Sequence, residues 1–322
     1  MKVTIEVVAG DPTPTGAQMT SMVPAASDPT TSPQLLRQIA TQTDWQLRQL
    51  VASNPNTPTD TLWQLGIDFP EAILNNPIFE LLQLEQLDLV ATIPHPTLTS
   101  LLQCDRVPIS FMEYAVSRQD YSLWLAVAYN PHTPSAILEN LAQKSRRQDR
   151  ELIRAVAAHP QTPVHLLAEI IDIGEGIARI VAENAQTPIS VLEQILRKYA
   201  NPHDPTFTTL VALHPQLNPR LLMQMYLAPS DAAAQSLWLA KQIDTPPAQL
   251  MQLADTDWSV LRLAVVRHPH TPSQTIDLLW QQLQLQIDPH TPSVLDRLIY
   301  DSFASNPQTS PQLRGELRKL LK

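Results

Sequence analysis

Asp44-Trp45-Gln46-Leu47-Arg48-Gln49-Leu50-Val51-Ala52-Ser53-Asn54-Pro55-Asn56-Thr57-Pro58, followed by Leu62 and Leu65, is the stretch that decides the fold. Its closing phrase is Asn, His or Asp before Pro, one variable residue, then Thr-Pro. The phrase returns at 130–134, 159–163, 268–272 and 288–292, with looser copies at 28–33, 184–188, 214–219 and 306–311. Self-similarity on this scale marks an array of supersecondary units, each of which buries its apolar face only against its neighbours. The chain of 322 residues is long for a single compact core, a limit that such an array escapes.

Each unit reads as two helical pieces. The first is short and follows an acidic residue, as at Asp44, Asp120, Asp149 and Asp257. An Asp carboxylate there accepts the unpaired backbone N–H groups of a helix start. The piece ends at Asn-Pro or His-Pro, because the residue before proline is pushed out of the helical region. The second piece begins at Thr-Pro. Thr57, Thr133, Thr162, Thr187 and Thr271 are predicted N-caps, and the prolines after them first helical residues. Thr57 with Asp60 and Thr271 with Gln274 resemble capping boxes. Apolar residues follow at helical spacing, for example Ile137, Leu138 and Leu141, or Val191, Leu192 and Ile195. The expected fold class is all-α: a solenoid of tandem repeats of about 25 residues.

Three segments depart from the rhythm. Residues 1–32 alternate briefly at Val3, Ile5 and Val7, which predicts a short strand, and then turn Pro-, Thr-, Ser- and Ala-rich, which predicts a flexible segment ahead of a repeat array over 33–322. Residues 66–119 form an atypical, acidic repeat or insert chopped by Pro94, Pro96 and Pro108. Residues 311–322 predict a basic amphipathic helix, with Arg314, Arg318, Lys319 and Lys322 suited to the negative end of its dipole, that closes the array.

Composition narrows the function. Hydrophobic residues make up 43% and aromatics only 5%, so Leu, Ile, Val and Ala must fill the core. The 30 prolines fall at fixed offsets and act as punctuation. A net charge of −9 argues against nucleic acid, whose binding rests on neutralising phosphates. No apolar run is long enough to span a membrane, and the start lacks an apolar signal region, so the expected location is cytoplasmic. From Gln49 to Asp105 there is no Lys or Arg. That block reads either as a solvated face or as a surface for a basic partner, with Glu71, Glu80, Glu85 and Asp88 as its candidate contacts. Cys104 is the single cysteine, which excludes an intrachain disulfide and any cluster held by several cysteines of one chain.

The phrase Val-Ala-x-Asn-Pro-x-Thr-Pro-x-x-x-Leu-x-x-Leu behind Asp-x-x-[Val/Leu]-Arg resembles the leucine-rich repeat variant family. It reads here as Asp44 to Arg48, Val51 to Pro58, Leu62 and Leu65, and recurs in the units at 127–141, 156–170, 181–195 and 265–279. The resemblance implies a right-handed superhelix of alternating α- and 3₁₀-helices, the short first piece being the 3₁₀ element. It also implies a binding role. One member of the family carries a cysteine-bound iron–sulfur module ahead of its repeats. No cysteine stands ahead of the repeats here, so no cofactor is carried over. Longer HEAT-like repeats of two full helices are the alternative.

Possible chemistry is weighed against structure. His159, His214 and His268 replace Asn before the anchor proline. A ladder of metal ligands is conceivable there, but His shares with Asn a tolerance of turn geometry and a capacity for local hydrogen bonds, and the structural role is the expectation. Arg48, Arg154, Arg179 and Arg262 recur in the first pieces; they reach either an acidic ligand or neighbouring carboxylates. Trp45 and Trp258 sit at first turns and are candidate partner anchors, the other tryptophans core. Lys144, Arg146, Arg147 and Arg150 predict a solvated basic loop. No phosphate loop, nucleophile elbow or HExxH motif is present. The expected function is a non-catalytic protein-binding scaffold or adaptor with no catalytic, metal or cofactor residue, whose partner is another protein, one with a basic surface on the second reading of the acidic block. The alternative is an enzyme, lyase-like, built on a helical-repeat scaffold.

Overall fold

The computed structural model describes residues 16–86, 88–145, 150–284 and 293–320, and within these the chain is all-helical, without a β-strand. The predicted strand at Val3 to Val7, Arg146 and Arg147 of the basic loop, the Asp149 cap, the repeat phrase at 288–292 and Lys322 lie outside the described residues. No helix among the described residues is long and apolar enough to cross a membrane. The chain divides into two compact units, up to Gln161 and from Thr162.

In the first unit the first pieces form one row. Gly16–Ser27 packs on Trp45–Ser53, and the row continues through Pro70–Leu74, His95–Leu102, Tyr121–Tyr129 and Arg150–Ala158. The second pieces, such as Pro33–Ala40 and Thr59–Leu65, lie against it. The apolar stripes meet between the rows, where Leu36, Ile39, Leu47 and Val51 are fully buried. In the second unit Glu175–Glu183, Thr206–Leu213, Ser259–Arg267 and Val294–Ser305 follow one another in the same way, with Asp231–Ala240 packed on Ser259–Arg267.

The first pieces correct the alternation implied by the resemblance. Trp45–Ser53, Tyr121–Tyr129, Glu175–Glu183 and Ser259–Arg267 are α-helices of 9 residues each. Runs of 3₁₀ helix longer than about four residues are uncommon, because their hydrogen-bond geometry is poorer. The one 3₁₀ turn among the described residues is Ile171–Ile173. The acidic caps hold at Asp44, which accepts from Leu47 N–H at 2.9 Å, and at Asp120, which accepts from Ser122 N–H at 3.0 Å. They fail at Asp257: Trp258 takes the cap position without a side-chain bond, and Asp257 lies 3.5 Å from Arg262 instead.

The threonines do not cap. Thr57 Oγ1 donates backward to the Val51 carbonyl at 2.6 Å, and Thr133, Thr187, Thr271 and Thr309 make the same bond to the carbonyl six residues earlier at 2.5 Å each. At Val51, Val127, Val181 and Val265 the hydroxyl is thereby a second donor to a last-turn carbonyl that also accepts the amide three residues on. Pro58, Pro134, Pro163 and Pro188 then stand as N-caps, not first helical residues, in extended geometry without a side-chain bond. The capping boxes at Thr57 and Thr271 are corrected accordingly.

Within each unit a second set of bonds joins a repeat to the one before. Asn54 Nδ2 donates to the Ala26 and Asp28 carbonyls at 2.8 and 2.9 Å, and Asn76 Nδ2 to those of Ala52 and Asn54 at 2.9 and 3.0 Å. Asn130 reaches Leu102 and Cys104, and Asn306 reaches Val266 and His268. Each Asn Oδ1 accepts the amide two residues on. Histidine takes the same place with one donor instead of two: His159 Nδ1 accepts Gln161 N–H at 3.0 Å, and Nε2 donates to the Asn130 carbonyl at 2.8 Å. His214 and His268 repeat the pattern toward Asn184 and Gln242. Both ring nitrogens are engaged, which supports the structural role expected of these histidines.

The array begins earlier than the sequence predicts, and its atypical stretch stays within it. The described part of the segment 1–32 is not a flexible run. Gly16–Ser27 is a helix with Met22 and Ala26 buried, and Thr31 Oγ1 closes it onto the Ala25 carbonyl at 2.6 Å, so the first repeat lies here. Residues 66–119 carry five short helices, and two of them, Pro70–Leu74 and His95–Leu102, stay in the row. Asn76 keeps its rung, so the stretch continues the array.

An open groove floored by Trp45 and Phe69

Asp44 starts the Trp45–Ser53 helix and so fixes Trp45 at its first turn. Pro70 starts the next first-row helix and holds Phe69 at its N-cap. Packing of the two helices stacks the rings, with centroids 6.2 Å apart and planes 14° apart. Gly66 ends the Thr59–Leu65 helix where a Cβ would meet Thr97 Cγ2 at 2.6 Å and Ile73 Cδ1 at 2.9 Å, so its lack of a side chain permits this close approach. Trp45 is 59% and Ile67 49% exposed. With Phe69, Glu71, Gln103 and Cys104 they line an open groove of about 560 Å³.

Arg48 forms a close ion pair with Asp68 and lies 5.4 Å from the Phe69 ring centroid, so its charge is spent on the wall. Burial, then the nearby Glu71 and Asp105 carboxylates, push the Cys104 thiol up to about 11, far from a thiolate at neutral pH. Glu71 is exposed on the rim.

A second cleft, of about 550 Å³, is lined by His95 and Asp120, two members of a group that sequence reading missed. His95 Nε2 lies 2.8 Å from Asp120 Oδ2 and 3.1 Å from Ser122 Oγ, and Ser122 Oγ donates to Asp120 Oδ1 at 2.6 Å. Nucleophilic catalysis by Ser, His and Asp needs the carboxylate on one ring nitrogen and the hydroxyl on the other. Here one nitrogen serves both, and Asp120 Oδ1 is also the helix cap. The Ser122 hydroxyl first, with the Leu123 amide and His95, holds the Asp120 carboxyl below its usual range. No local motif announces this triangle, because His95 and Asp120 are 25 residues apart.

Of the predicted contacts, the structure brings together Trp45, Arg48 and Glu71; Ile67, Phe69 and Gln103 complete the groove and were not foreseen. Glu80, Glu85 and Asp88 are exposed on and just after the Pro77–Glu85 helix, and Arg154 is exposed on Arg150–Ala158. Arg179 pairs closely with Glu175 and lies 5.9 Å from the Phe207 ring centroid, and Arg262 pairs with Asp257, so these two serve their own unit. Trp258 is half-buried. Among the described residues no group of three or more His, Cys, Asp or Glu side chains is placed to hold a metal ion.

Comparison with curated proteins and with solved structures finds no match. Residues 20–73 match the model of the Leucine Rich Repeat Variant domain, a segment that begins inside the Gly16–Ser27 helix and ends on the groove. The resemblance read from the repeat phrase is thus shown there: over residues 20–73 the chain carries a leucine rich repeat variant domain.

Proposed function

We propose that the chain is a non-catalytic, cytoplasmic scaffold or adaptor that binds another protein on a right-handed array of repeats of about 25 residues. The observation that carries the reading is the Trp45–Phe69 stack, held between two helices yet leaving Trp45 59% exposed in an open groove. A large ring that the fold positions but does not cover is what a partner buries with little loss of side-chain freedom. The thiol in the groove, Cys104, is held protonated. The His95–Asp120–Ser122 triangle is not ordered as a Ser-His-Asp triad, because one ring nitrogen faces both partners.

The test places a photo-crosslinking amino acid at position 45 and irradiates in native lysate. One protein crosslinked in stoichiometric yield, and lost when Phe69→Ala is combined with the probe at unchanged melting temperature, supports the reading. Crosslinks that are diffuse, or unchanged by Phe69→Ala, overturn it.

A further inference from the structure

The Pro77–Glu85 helix is anchored on one side and bare on the other. Phe79 and Leu82 are buried, with Phe79 set edge-on to Phe111 at 6.0 Å. On the other side Leu81 is 53% and Leu84 80% exposed, flanked by exposed Glu80 and Glu85, with exposed Asp88 just beyond the helix end. Residues at these spacings share one helix face. Exposed leucines side by side are not what a solvated face requires, and they add apolar area that only a partner would cover.

The charges say what kind of partner. Glu80, Glu85 and Asp88 make no ion pair among the described residues, and no Lys or Arg occurs from Gln49 to Asp105. Glu85 and Asp88 also stand at the C-terminal end of the helix, whose last turn has no basic residue. That end carries the negative pole of the dipole, where a carboxylate is locally unfavourable and a cation is favoured.

We infer that this face docks a Lys/Arg-bearing amphipathic helix of another polypeptide, whose apolar stripe covers Leu81 and Leu84 and whose cations meet Glu80, Glu85 and Asp88. The inference rests on the protein-binding reading and names a partner chemistry for a second surface. A second copy of this chain fits poorly: its basic helix, Pro311–Leu320, already buries Leu313 and Leu317 and uses Arg314 on the Asn306, Pro307 and Thr309 carbonyls. The segment before Gly16 offers Lys2 against Glu6 and Asp11, and so no net positive charge.

The test titrates the full chain with a synthetic Leu/Lys amphipathic helix, its Leu/Glu counterpart and a Lys-rich peptide without Leu, by calorimetry. The expected result is saturable one-to-one binding of the Leu/Lys peptide alone. Leu81→Ser/Leu84→Ser, which leaves the charge unchanged, weakens it about tenfold or more. Glu80→Gln/Glu85→Gln/Asp88→Asn does the same. Asp231→Asn/Asp277→Asn/Glu316→Gln, which removes as many acids from the second unit, leaves it unchanged. Circular dichroism melts verify that each variant is folded. Equal weakening by both charge variants, no effect of the Leu variant, or no saturable binding overturns the inference. So does a dimer in light scattering that the Leu variant converts to monomer, since the occupant is then a second copy. The crosslink at residue 45 reports on the other groove, so its success with peptide binding absent here removes this inference alone.

Discussion

Lys241 Nζ donates to the His214 carbonyl at 2.8 Å, and to those of Ala212 and Leu217 at 3.2 and 2.9 Å. By sequence the rung belongs to Gln242, but its amide turns back to the Trp238 carbonyl at 3.2 Å. The neighbouring lysine reaches the carbonyls at the rung residue and two before it, the pair that Asn76 and Asn130 take in their own repeats. Burial lowers the ammonium to about 8.

Lys241→Met leaves three carbonyls short of a donor, and the expected cost is about 2 kcal/mol at pH 7, read by urea unfolding. Because the native pKa of about 8 lies below the ordinary 10.5, the unfolded chain binds the extra proton between these values, and wild-type stability rises with pH there. The Met variant lacks this rise; an identical slope in both proteins contradicts the assignment.

Burial, above all, lowers His159 and His214 below the ordinary 6.5. Their neutral form is the one that accepts an amide at Nδ1, so protonation opposes the rung. Stability from these residues is present above the unfolded value and lost as pH falls below it. His159→Asn/His214→Asn is expected to flatten the dependence of melting temperature on pH below about 6.5 while staying within about 1 kcal/mol of wild type at pH 7.5. A variant as acid-sensitive as wild type places the sensitivity elsewhere.

Asn130 uses both ends of its amide, as two donors to the preceding repeat and one acceptor. Asn130→Ala is expected to cost about 3 kcal/mol in denaturant unfolding, and Asn130→His less than half of that, since His occupies the same rung at 159. Equal losses in the two variants argue against His as a replacement for Asn at the rung.

Thr133 separates locking from capping. Its hydroxyl meets the Val127 carbonyl at 2.5 Å, so Thr133→Ser is expected to retain most of the stability and Thr133→Val to lose about 1 kcal/mol. Thr133→Asp, a good N-cap, is expected to be at least as damaging as Val. Rescue by Asp restores the capping role.

Gly66→Ala drives a methyl into Thr97 Cγ2 and Ile73 Cδ1, for an expected loss of about 1–3 kcal/mol by overpacking. Adding Ile73→Val is expected to recover part of it, which a purely conformational effect at Gly66 does not predict.

The sequence by itself determined the repeated unit, the helix pairs, the Asp44 and Asp120 caps and the amphipathic C-terminal helix. All of these act over a few neighbouring residues, and chain order records them directly. It also singled out Trp45 and the acids at 80, 85 and 88, though not what surrounds them. Tertiary structure decided the rest. The Asn and His rungs span separations from 22 to 40 residues, and the Thr hydroxyls choose a carbonyl six residues back over the cap because that carbonyl ends a helix held in place by packing. The groove exists only because Phe69, ahead of one helix, is stacked on Trp45 at the start of another. A linear pattern states which residues repeat; which atoms they meet depends on how successive units stack, and that is a property of the packed chain.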